Sequence, residues 1–579
     1  MQANEVQGIA ASPGIAIAKA YVMQEKTFEV TRKQDISAEQ EMMRLREAIQ
    51  QSKAELEQIF HNALEEFGED QAGIFEGHLF VLQDPEWLRS IEEKIAEESV
   101  NAEFALDQVT KELIQLFRSM KNAYMRERSI DIQDVSRRVM GHLLGASGQV
   151  DSPLEEPVIV IAHDLSPSDT AGLDVKYVVG IAADIGGRTS HSAIMARSMG
   201  IPAVVGLQNI TGRINGQTMV IIDGMDGKVI VNPSPEQLAH YEEKRDIYRD
   251  KQEGLTKLIN EPTIMADGRR VELAANIGTP DDLEGAIRNG AEGIGLFRSE
   301  FLYMNRESMP DEEEQFQAYR KVAEDMDGKP VIIRTLDIGG DKELPYLQLP
   351  KEQNPFLGYR AIRLCLDRQE MFKTQLRAIL RASCYGLVKI MYPMIAALEE
   401  FRQANQILAE AKEELIRENI AFHPDIEVGI MIEIPAAALA ADALAKEADF
   451  FSIGTNDLIQ YTMACDRMNE KISYLYQPFH PAVLRLIRMV IDAAHKKGKW
   501  VGMCGEMAAD KMAVPILMGL GLDEISMGAS SILPARQLIR QLNYGQMKEL
   551  ADKALELESS EQIRQLIQDE VAVIRGTDG

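Results

Sequence analysis

The sequence has few cysteines and no long uninterrupted apolar run. Its 579 residues contain four cysteines, Cys365, Cys384, Cys465 and Cys504, and none of them stands in a CxxC pair. This scarcity argues against a disulfide framework and against a structural zinc site. No apolar stretch reaches the roughly 18–20 residues that a membrane-spanning helix needs, and the first residues lack the basic segment of a secretory signal peptide. We therefore expect a cytoplasmic protein without membrane association.

The sequence is also poor in basic residues relative to acidic ones. Lys and Arg number 62 against 91 Asp and Glu, which gives a formal net charge of −29. Nucleic-acid binding needs a basic surface, so we expect no nucleic-acid partner. An acidic protein that handles an anionic substrate must gather its arginines at one place, and its remaining surface can attract a basic protein.

Changes in composition along the chain indicate several domains and a multidomain α/β fold. Short β-branched runs occupy the first thirty residues and recur between VIVIA at 158 and KVIV at 228, with a helical region between the two groups. A highly charged helical stretch follows, which is typical of a connector between domains. We expect an α/β domain from residues 1–30 and 146–232, a helical subdomain at 31–145 inserted into it, a linker helix at 233–262 and a (β/α)8 barrel at 263–579.

The barrel prediction depends on eight apolar runs that alternate with helical segments, over a length that suits a (β/α)8 barrel. The runs are VELAANI (271–277), GIGLFRSE (293–300), VIIRTLD (331–337), VKIMYPM (388–394), VGIMIEIP (428–435), DFFSIGTND (449–457), WVGMCGE (500–506) and LDEISMG (522–528). In such barrels the catalytic side chains lie at the carboxyl ends of the strands. The ends of these runs therefore predict the site.

Those strand ends carry arginines and carboxylates. Arg298 and Arg334 imply a small anion, because guanidinium groups bind phosphate and carboxylate in a bidentate way. Glu433 and Asp457 are hard oxygen donors that suit Mg²⁺ shared with a substrate phosphate, and Arg467 follows in a segment that could close over the anion. The alternative is that these groups form only structural salt bridges.

The stretch GGRTSHSAIMARSMGIPAVVG at 186–206 contains a second candidate site. Gly186 and Gly187 let the backbone approach a ligand closely, and His191 stands at the start of a predicted helix, where an anion is favoured. A neutral imidazole there can attack phosphorus, and Arg188 adds positive charge. The alternative is that His191 merely caps or packs the helix.

These motifs resemble those of Enzyme I, the phosphoenolpyruvate–protein phosphotransferase of the bacterial sugar phosphotransferase system. GGRTSHSAIMARS resembles the family's phosphohistidine signature. The barrel segments GLFRSEFLYM, IIRTLDIGGDK, NPFLGYRAIR, GIMIEIPAA, FFSIGTNDLIQYTMACDR and GMCGEMA are similar to its phosphoenolpyruvate site. The resemblance covers nearly the whole chain in the same order, and only Ser192 and Ser299 stand where Thr is common.

The resemblance implies a function and a role for each residue. Phosphoenolpyruvate would phosphorylate His191, which then phosphorylates a small histidine-containing phosphocarrier protein, and pyruvate is released. Cys504, which alone is more typical of a small buried apolar residue, would protonate the enolate. Substrate binding is implied for Arg298, Arg334, Arg360, Asn456, Asp457 and Arg467, and Mg²⁺ binding for Glu433 and Asp457. The family also implies a homodimer formed through the barrel and carrier binding at the helical insertion.

The segment between His61 and Trp87 in that insertion has no Lys or Arg. It contains seven acidic residues, Glu65, Glu66, Glu69, Asp70, Glu76, Asp84 and Glu86. Phe67, Ile74, Phe75, Leu79 and Phe80 are interleaved with them. Such a face could dock a basic partner, although a solvated helix face over a core explains the pattern equally well.

Three other functions remain to be weighed. Pyruvate-phosphate dikinases and phosphoenolpyruvate synthases share both domain types but need a large nucleotide-binding domain, for which the sequence has neither room nor a P-loop. A non-catalytic protein on the same scaffold would have a degenerate site, whereas His191, Glu433, Asp457 and Cys504 are all present. A nitrogen-regulatory relative would have an additional N-terminal sensory domain.

Overall fold

The computed structural model describes residues 4–23, 28, 30–34, 36–67, 69–119, 123–145, 154, 156–165, 176–187, 190–304, 306–340, 344–347, 349–469 and 471–576. For residues 62–67, 69–74, 118, 123–128, 130, 191, 198, 345 and 571–576 it describes the backbone alone. The chain divides into two compact units, Met1–Lys251 and Gln252–Gly579. None of the helices in the described ranges combines the length and apolar character needed to cross a bilayer.

The N-terminal unit contains an eight-stranded mixed sheet. Its strands are β1 (Glu5–Gln7), β2 (Ile9–Ser12), β3 (Ile15–Val22), β4 (Val158–Ala162), β5 (Val178–Ala183), β6 (Ala203–Val205), β7 (Met219–Asp223) and β8 (Lys228–Val231). Their order is β1-β8-β7-β3-β4-β5-β6-β2, and β3, β4, β5 and β6 run parallel. The first three strands thus pair with strands that lie more than 130 residues further along the chain.

A helical bundle lies between β3 and β4 in the sequence. Its helices are α1 (Ala38–Phe67), α2 (Glu69–Leu82), α3 (Pro85–Glu98), α4 (Ala102–Ser119) and α5 (Ala123–Leu143). Asp84 caps α3 by accepting hydrogen bonds of 2.9 Å from the amides of Glu86 and Trp87, which satisfies donors at the helix start. Trp87, Ile91 and Ile95 then repeat at helical spacing and are buried in the bundle core.

Two further helices complete the part of the N-terminal unit that the structure describes. Helix α6 (His191–Ser198) packs against β2, β5 and β6. Helix α7 (Pro235–Thr256) runs across the division between the two units. It ends before the expected end of the linker at 262. The carbonyls of Leu258 and Ile259, just beyond it, accept hydrogen bonds of 2.8 and 3.0 Å from Arg536.

The second unit is built on a parallel barrel. Its strands are β9 (Glu272–Ile277), β10 (Ile294–Arg298), β11 (Pro330–Arg334), β12 (Leu387–Tyr392), β13 (Val428–Ile432), β14 (Phe450–Ile453), β15 (Trp500–Met503) and β16 (Glu524–Met527). Each strand from β9 to β14 pairs in parallel with the next, and β16 pairs with β9. The amide of Asp523 donates to the carbonyl of Val501 at 3.0 Å and links the last two strands.

Helices surround this barrel and bury its outer face. They are α8 (Asp282–Arg288), α9 (Glu312–Asp325), α10 (Ile362–Asp367), α11 (Gln369–Ala382), α12 (Leu398–Arg417), α13 (Pro435–Leu439), α14 (Ala441–Leu444), α15 (Thr455–Met463), α16 (Pro481–His495), α17 (Ala513–Leu520), α18 (Ala529–Gln541), α19 (Tyr544–Glu556) and α20 (Ser560–Gly576). The prediction of a multidomain α/β chain with an inserted helical bundle and a (β/α)8 barrel is confirmed.

Candidate active site

The charged residues that the sequence predicts at strand ends lie on one rim of the barrel. Arg298 and Arg334 are the last residues of β10 and β11, Glu433 follows β13, and Cys504 follows β15. Asp457 lies in the first turn of α15, directly after β14. Because all eight strands are parallel, their carboxyl ends meet at the same mouth.

Arg334 is buried and bound by two carboxylates. Its Nη2 donates to Oε1 of Glu300 at 2.7 Å, and its Nη1 lies 3.0 Å from Oδ2 of Asp337. These two carboxylates outweigh the cost of burial and hold the pKa of Arg334 above its usual range. Its Nε is buried without a hydrogen-bond partner. The guanidinium is therefore held in place with one N–H group still available.

Arg360 shares Asp337 with Arg334 and extends the network across the mouth. Its Nη2 donates to Oδ1 of Asp337 at 2.8 Å and lies 3.4 Å from Oδ2 of Asp457. Its Nη1 donates to the hydroxyl of Tyr461 at 3.3 Å. Burial raises the pKa of Tyr461 to about 12, so this hydroxyl stays protonated and can serve as a donor in turn.

Glu433 is a buried carboxyl with one oxygen already held. The amide of Met394 donates to its Oε1 at 2.6 Å. Burial raises the pKa of Glu433 to about 8, and the negative charges of Asp457 and Asp337 add to the effect. Such clustered carboxylates favour a bound cation, because a positive charge relieves their repulsion.

Arg298 and Arg467 have the character of anion-binding groups. Burial first, and the neighbouring charge of Arg334 second, lower the pKa of Arg298. Arg467 lies in the segment after α15, where its amide donates to Oε1 of Gln460 at 3.2 Å. Its Nη1 is buried and has no hydrogen-bond partner. Buried donors in native proteins are almost always paired, so this N–H group points to a bound acceptor.

Asn456 and Cys504 lie at the same rim but make different contacts. Asn456 and Glu506 bond reciprocally, with Nδ2 donating to Oε1 at 3.1 Å and the amide of Glu506 donating to Oδ1 at 2.9 Å. The Asn456 side chain is thus engaged by a neighbour that the sequence did not suggest. Burial raises the pKa of Cys504 to about 11 and keeps its thiol protonated.

His191 lies in the other unit, at the first position of α6. Its side chain and the whole of Arg188 and Thr189 lie outside the described residues. The approach to the helix has a φ of +112° at Gly186, which favours glycine. Ser190 donates to the carbonyl of Gly187 at 2.9 Å and lies 3.1 Å from the hydroxyl of Ser192. The arginines and His191 therefore belong to separate units.

Several functional neighbours were missed by sequence reasoning. Glu300 and Asp337 stand at the ends of two predicted strand runs, so their position was a signal, but nothing local shows that they bind the arginines. Asp184, which precedes the loop before His191, was also missed. It accepts hydrogen bonds from the hydroxyl and amide of Thr211 at 2.5 and 3.2 Å and lies 3.2 Å from Nδ1 of His163. It holds the start of the loop that leads to His191.

Metal ligation by Glu433 and Asp457 would involve only two protein carboxylates. In the ranges that the structure describes, no group of three or more His, Cys, Asp and Glu side chains could hold a metal ion. Mg²⁺ commonly uses one or two carboxylates and completes its shell with substrate phosphate and water. The donor set therefore fits this ion when it is shared with a phosphorylated substrate.

Three family models match the chain. "PEP-utilising enzyme, PEP-binding domain" matches residues 252–544, "PEP-utilising enzyme, N-terminal" matches residues 7–128, and "PEP-utilising enzyme, mobile domain" matches residues 154–227.

Several curated relatives match nearly the full length. A protein of Geobacillus stearothermophilus named phosphoenolpyruvate-protein phosphotransferase is 60% identical over 558 residues, which are 96% of either chain. A protein of the same name from Bacillus subtilis (strain 168) is 58% identical over 97% of this chain and 98% of its own. One from Staphylococcus carnosus (strain TM300), again with that name, is 56% identical over 98% of this chain and 99% of its own.

Proposed function

The chain belongs to the family of PEP-utilising enzymes, and from that membership we propose that it transfers the phosphoryl group of phosphoenolpyruvate to His191 and then to a histidine of a small phosphocarrier protein. Pyruvate is the other product. The observation that carries this proposal is the barrel mouth, where the buried Nε of Arg334 and Nη1 of Arg467 have no hydrogen-bond partner in the described part of the chain. Both N–H groups can donate hydrogen bonds to an anion.

Phosphoenolpyruvate offers a phosphate and a carboxylate, and the arginines supply matching donors. In this proposal Arg298, Arg334 and Arg467 bind the two anionic groups, with Arg360, Asn456 and Asp457 assisting. The ion pairs of Arg334 with Glu300 and Asp337 support the assignment, because they fix the guanidinium before substrate arrives. Such preorganised charge stabilises developing negative charge without reorganisation during the reaction.

Glu433 and Asp457 would hold Mg²⁺ beside this anion. The ion, when bound, neutralises charge on the substrate oxygens. The hydrogen bond from Met394 holds Oε1 of Glu433 and orients the carboxyl. Glu433 and Asp457 would be the two protein ligands of the ion. Arg360, whose Nη2 lies 3.4 Å from Oδ2 of Asp457, would orient the Asp457 carboxylate.

Loss of the phosphoryl group leaves an enolate that must gain a proton at carbon. Cys504 would donate it from its thiol, since a pKa raised to about 11 keeps the proton in place until a strong base forms. His191 would accept the phosphoryl group as a neutral imidazole. The N-terminal position of His191 in α6 supports this role, because amides at a helix start favour the resulting anion.

The carrier protein would dock on the helical insertion. Of the predicted apolar residues in the acidic segment, Phe75 is buried and Leu79 packs against the bundle core. Phe80 is 71% exposed on α2, near the exposed Glu76. An exposed aromatic ring beside acidic groups supports a docking face for a basic partner. The side chains of Glu65, Glu66, Phe67, Glu69, Asp70 and Ile74 lie outside the described residues.

Two expectations rest on the family resemblance alone. We propose a homodimer formed through the barrel, and we retain the cytoplasm as the predicted location. The proposed function itself is tested by incubating the protein with phosphoenolpyruvate labelled at phosphorus, with and without Mg²⁺. Label should appear on His191, in the presence of Mg²⁺, with stoichiometric pyruvate. Label on another residue, or none, would contradict the proposal.

A further inference from the structure

The interior of the barrel contains a buried glutamate that the reaction described above does not use. Glu524, the first residue of β16, is 2% exposed, and neither of its carboxyl oxygens forms a regular hydrogen bond to the described residues, although the amide of Met503 lies close enough to act on its pKa. Burial, with the charge of Glu272 adding to it, holds the pKa of Glu524 well above its usual range. Such surroundings favour the neutral, protonated form of the carboxyl.

Two glycines make the space that this carboxyl fills. A methyl group on Gly502 would collide with Oε2 of Glu524, and one on Gly295 would collide with Oε1. The carboxyl therefore lies inside the barrel against Gly502 of the neighbouring strand β15 and against Gly295 of β10. Gly502 precedes Cys504 by two residues, and alternate residues of a strand face the same side. The Glu524 carboxyl therefore lies on the same side of the strand as the thiol, nearer to the amino-terminal end.

Ser452 on β14 is a buried hydroxyl close to the Cys504 thiol. It pairs with Gly502 in the β14–β15 register, and its side chain is fully buried. Neighbouring strands stand about 4.8 Å apart, so Ser452 is one strand away from the glycine that the Glu524 carboxyl touches. That hydroxyl has no regular hydrogen-bond partner, yet it lies close enough to the Cys504 thiol to lower its pKa. Three buried oxygens thus form an unpaired polar column under Cys504.

Glu524 begins β16, so the lower end of this column is at the floor of the barrel, where the amino-terminal ends of the strands lie. Glu272 on β9 pairs with Glu524 in the strand register and is only partly buried. Lys389, which also acts on Glu524, lies 4.7 Å above the ring of Trp500 and bonds Glu427 at 2.7 Å. At the other end, Arg334 and Glu433 are the charged groups that face Cys504 besides Glu524. Glu272 at the floor is thus the register partner of Glu524 that is partly exposed to solvent.

We propose that Glu524 and Ser452 form a proton path that resupplies Cys504 from the floor of the barrel. The inference rests on the proposed role of Cys504. When the enolate carbon takes the thiol proton, the S–H electron pair remains on sulfur as a thiolate. Ser452 then gives its hydroxyl proton to sulfur and takes one from Glu524, and Glu524 regains a proton from Glu272 or from water at the floor. The net change moves one solvent proton to carbon.

The proposed path gives a role to the buried oxygens of Glu524 and Ser452, which have no regular hydrogen bonds to the described residues. Bound substrate covers the mouth of the barrel, so water cannot reach the thiolate from that side while product is held. Buried polar groups without partners commonly bind ordered water, and water between Ser452 and Glu524 would complete the chain. Glu524 and Ser452 are positioning and relay residues, because neither touches the substrate in this arrangement.

The test separates the first turnover from later ones in the full-length protein. Glu524→Gln preserves shape but removes the exchangeable acid, so the first pyruvate should form at a near-normal rate from the resident thiol proton. Steady-state turnover should then fall at least about tenfold. Glu447→Gln, which alters a carboxyl paired with Arg402 outside the proposed path, is the matched control and should leave both rates unchanged. Equal loss in both phases, or no loss, would overturn the path.

A second pair of variants does not depend on the fold tolerating a change at Glu524. Ser452→Ala should reproduce the split between the two phases and raise the thiol pKa measured from the pH dependence of alkylation, whereas Ser452→Thr should restore both. An unchanged thiol pKa and turnover in Ser452→Ala would also refute the path. Failure of the unmodified protein to form pyruvate would instead refute the proposed function, and the two failures are thus distinguishable.

Discussion

The backbone amide of Met394 donates a hydrogen bond of 2.6 Å to Oε1 of Glu433, and Met394 does so with a φ of +60°. A long side chain rarely adopts this left-handed conformation, which costs about 1–3 kcal/mol. The strain lies beside the carboxyl that we propose as a metal ligand. The conformation fixes one oxygen of Glu433 and leaves the other for an external partner.

Replacing either proposed metal ligand should abolish metal-dependent turnover. Glu433→Gln and Asp457→Asn keep the size of each side chain but remove the charge that Mg²⁺ requires. Pyruvate formation should become insensitive to added Mg²⁺ and fall to background in both variants. Glu447→Gln, which alters a partly exposed carboxyl paired with Arg402, serves as the control. Normal Mg²⁺-dependent turnover in both ligand variants would disprove the assignment.

Replacing Arg334 should mainly lower stability, whereas replacing Arg467 should mainly lower the affinity for phosphoenolpyruvate. Arg334→Met leaves the buried carboxylate of Glu300 without its ion-pair partner and leaves Asp337 with Arg360 alone, so the barrel should lose about 3–5 kcal/mol of stability. Arg467→Met removes a group whose buried Nη1 has no hydrogen-bond partner among the residues that the structure describes. Its stability should change by less than about 1 kcal/mol, while phosphoenolpyruvate affinity falls roughly 10- to 100-fold.

Urea unfolding and calorimetric titration with phosphoenolpyruvate measure these two quantities separately. The barrel transition should shift to lower urea in the Arg334 variant and stay in place in the Arg467 variant. If Arg467→Met binds phosphoenolpyruvate as tightly as the unmodified protein, this residue does not contact the substrate.

Cys504 should react slowly with alkylating agents at neutral pH. Only the thiolate reacts, and a pKa raised to about 11 leaves a small thiolate fraction at pH 8. Its alkylation rate should rise about tenfold per pH unit until the pH approaches that pKa. Cys384 is exposed and provides an internal reference that should be labelled first. Peptide mass spectrometry follows both sites, and equal labelling at pH 8 would contradict the raised pKa.

Removal of the Cys504 thiol should separate binding from chemistry. Cys504→Ala should slow pyruvate formation by about 100-fold or more, because general acid catalysis contributes on this scale. Phosphoenolpyruvate affinity should change little, since the arginines remain. A loss of binding equal to the loss of turnover would indicate a structural role.

Much of the barrel could be predicted because each strand is a run of apolar residues between helices. The strand bounds could not, as DFFSIGTND shows. The run continues to Asp457, yet β14 ends at Ile453 and α15 begins at Thr455. Apolar content alone does not tell where a strand gives way to the first turn of a helix.

The parts of the candidate site that could be predicted are the charged residues at the ends of apolar runs. Arg298 and Arg334 are visible in the sequence because charged residues seldom end an apolar strand. The link from Arg334 through Asp337 to Arg360 is not visible, since it depends on how three segments meet in space. The surroundings of Glu524 could not be predicted for the same reason, because the space that its carboxyl fills is made by Gly295 and Gly502 on two other strands.

The final prediction concerns the division of labour between the two units. Each unit has its own hydrophobic core, one built from residues before 242 and the other from residues after 264. His191 lies in the first unit, while the arginines and Cys504 lie in the second. His191 must meet phosphoenolpyruvate and then the carrier protein, so we expect a swing of the units about α7.

Cutting the chain near residue 255, within the last turn of α7, tests this division. The N-terminal fragment should still exchange phosphoryl groups with the phosphorylated carrier protein, because His191 and the helical insertion stay together. It should not react with phosphoenolpyruvate. The barrel fragment should bind phosphoenolpyruvate and Mg²⁺ but form no phosphohistidine, because it lacks His191. Phosphorus label on each fragment and calorimetric binding measure these outcomes. Autophosphorylation of the N-terminal fragment from phosphoenolpyruvate would show that the division is wrong, since that fragment contains none of the mouth arginines.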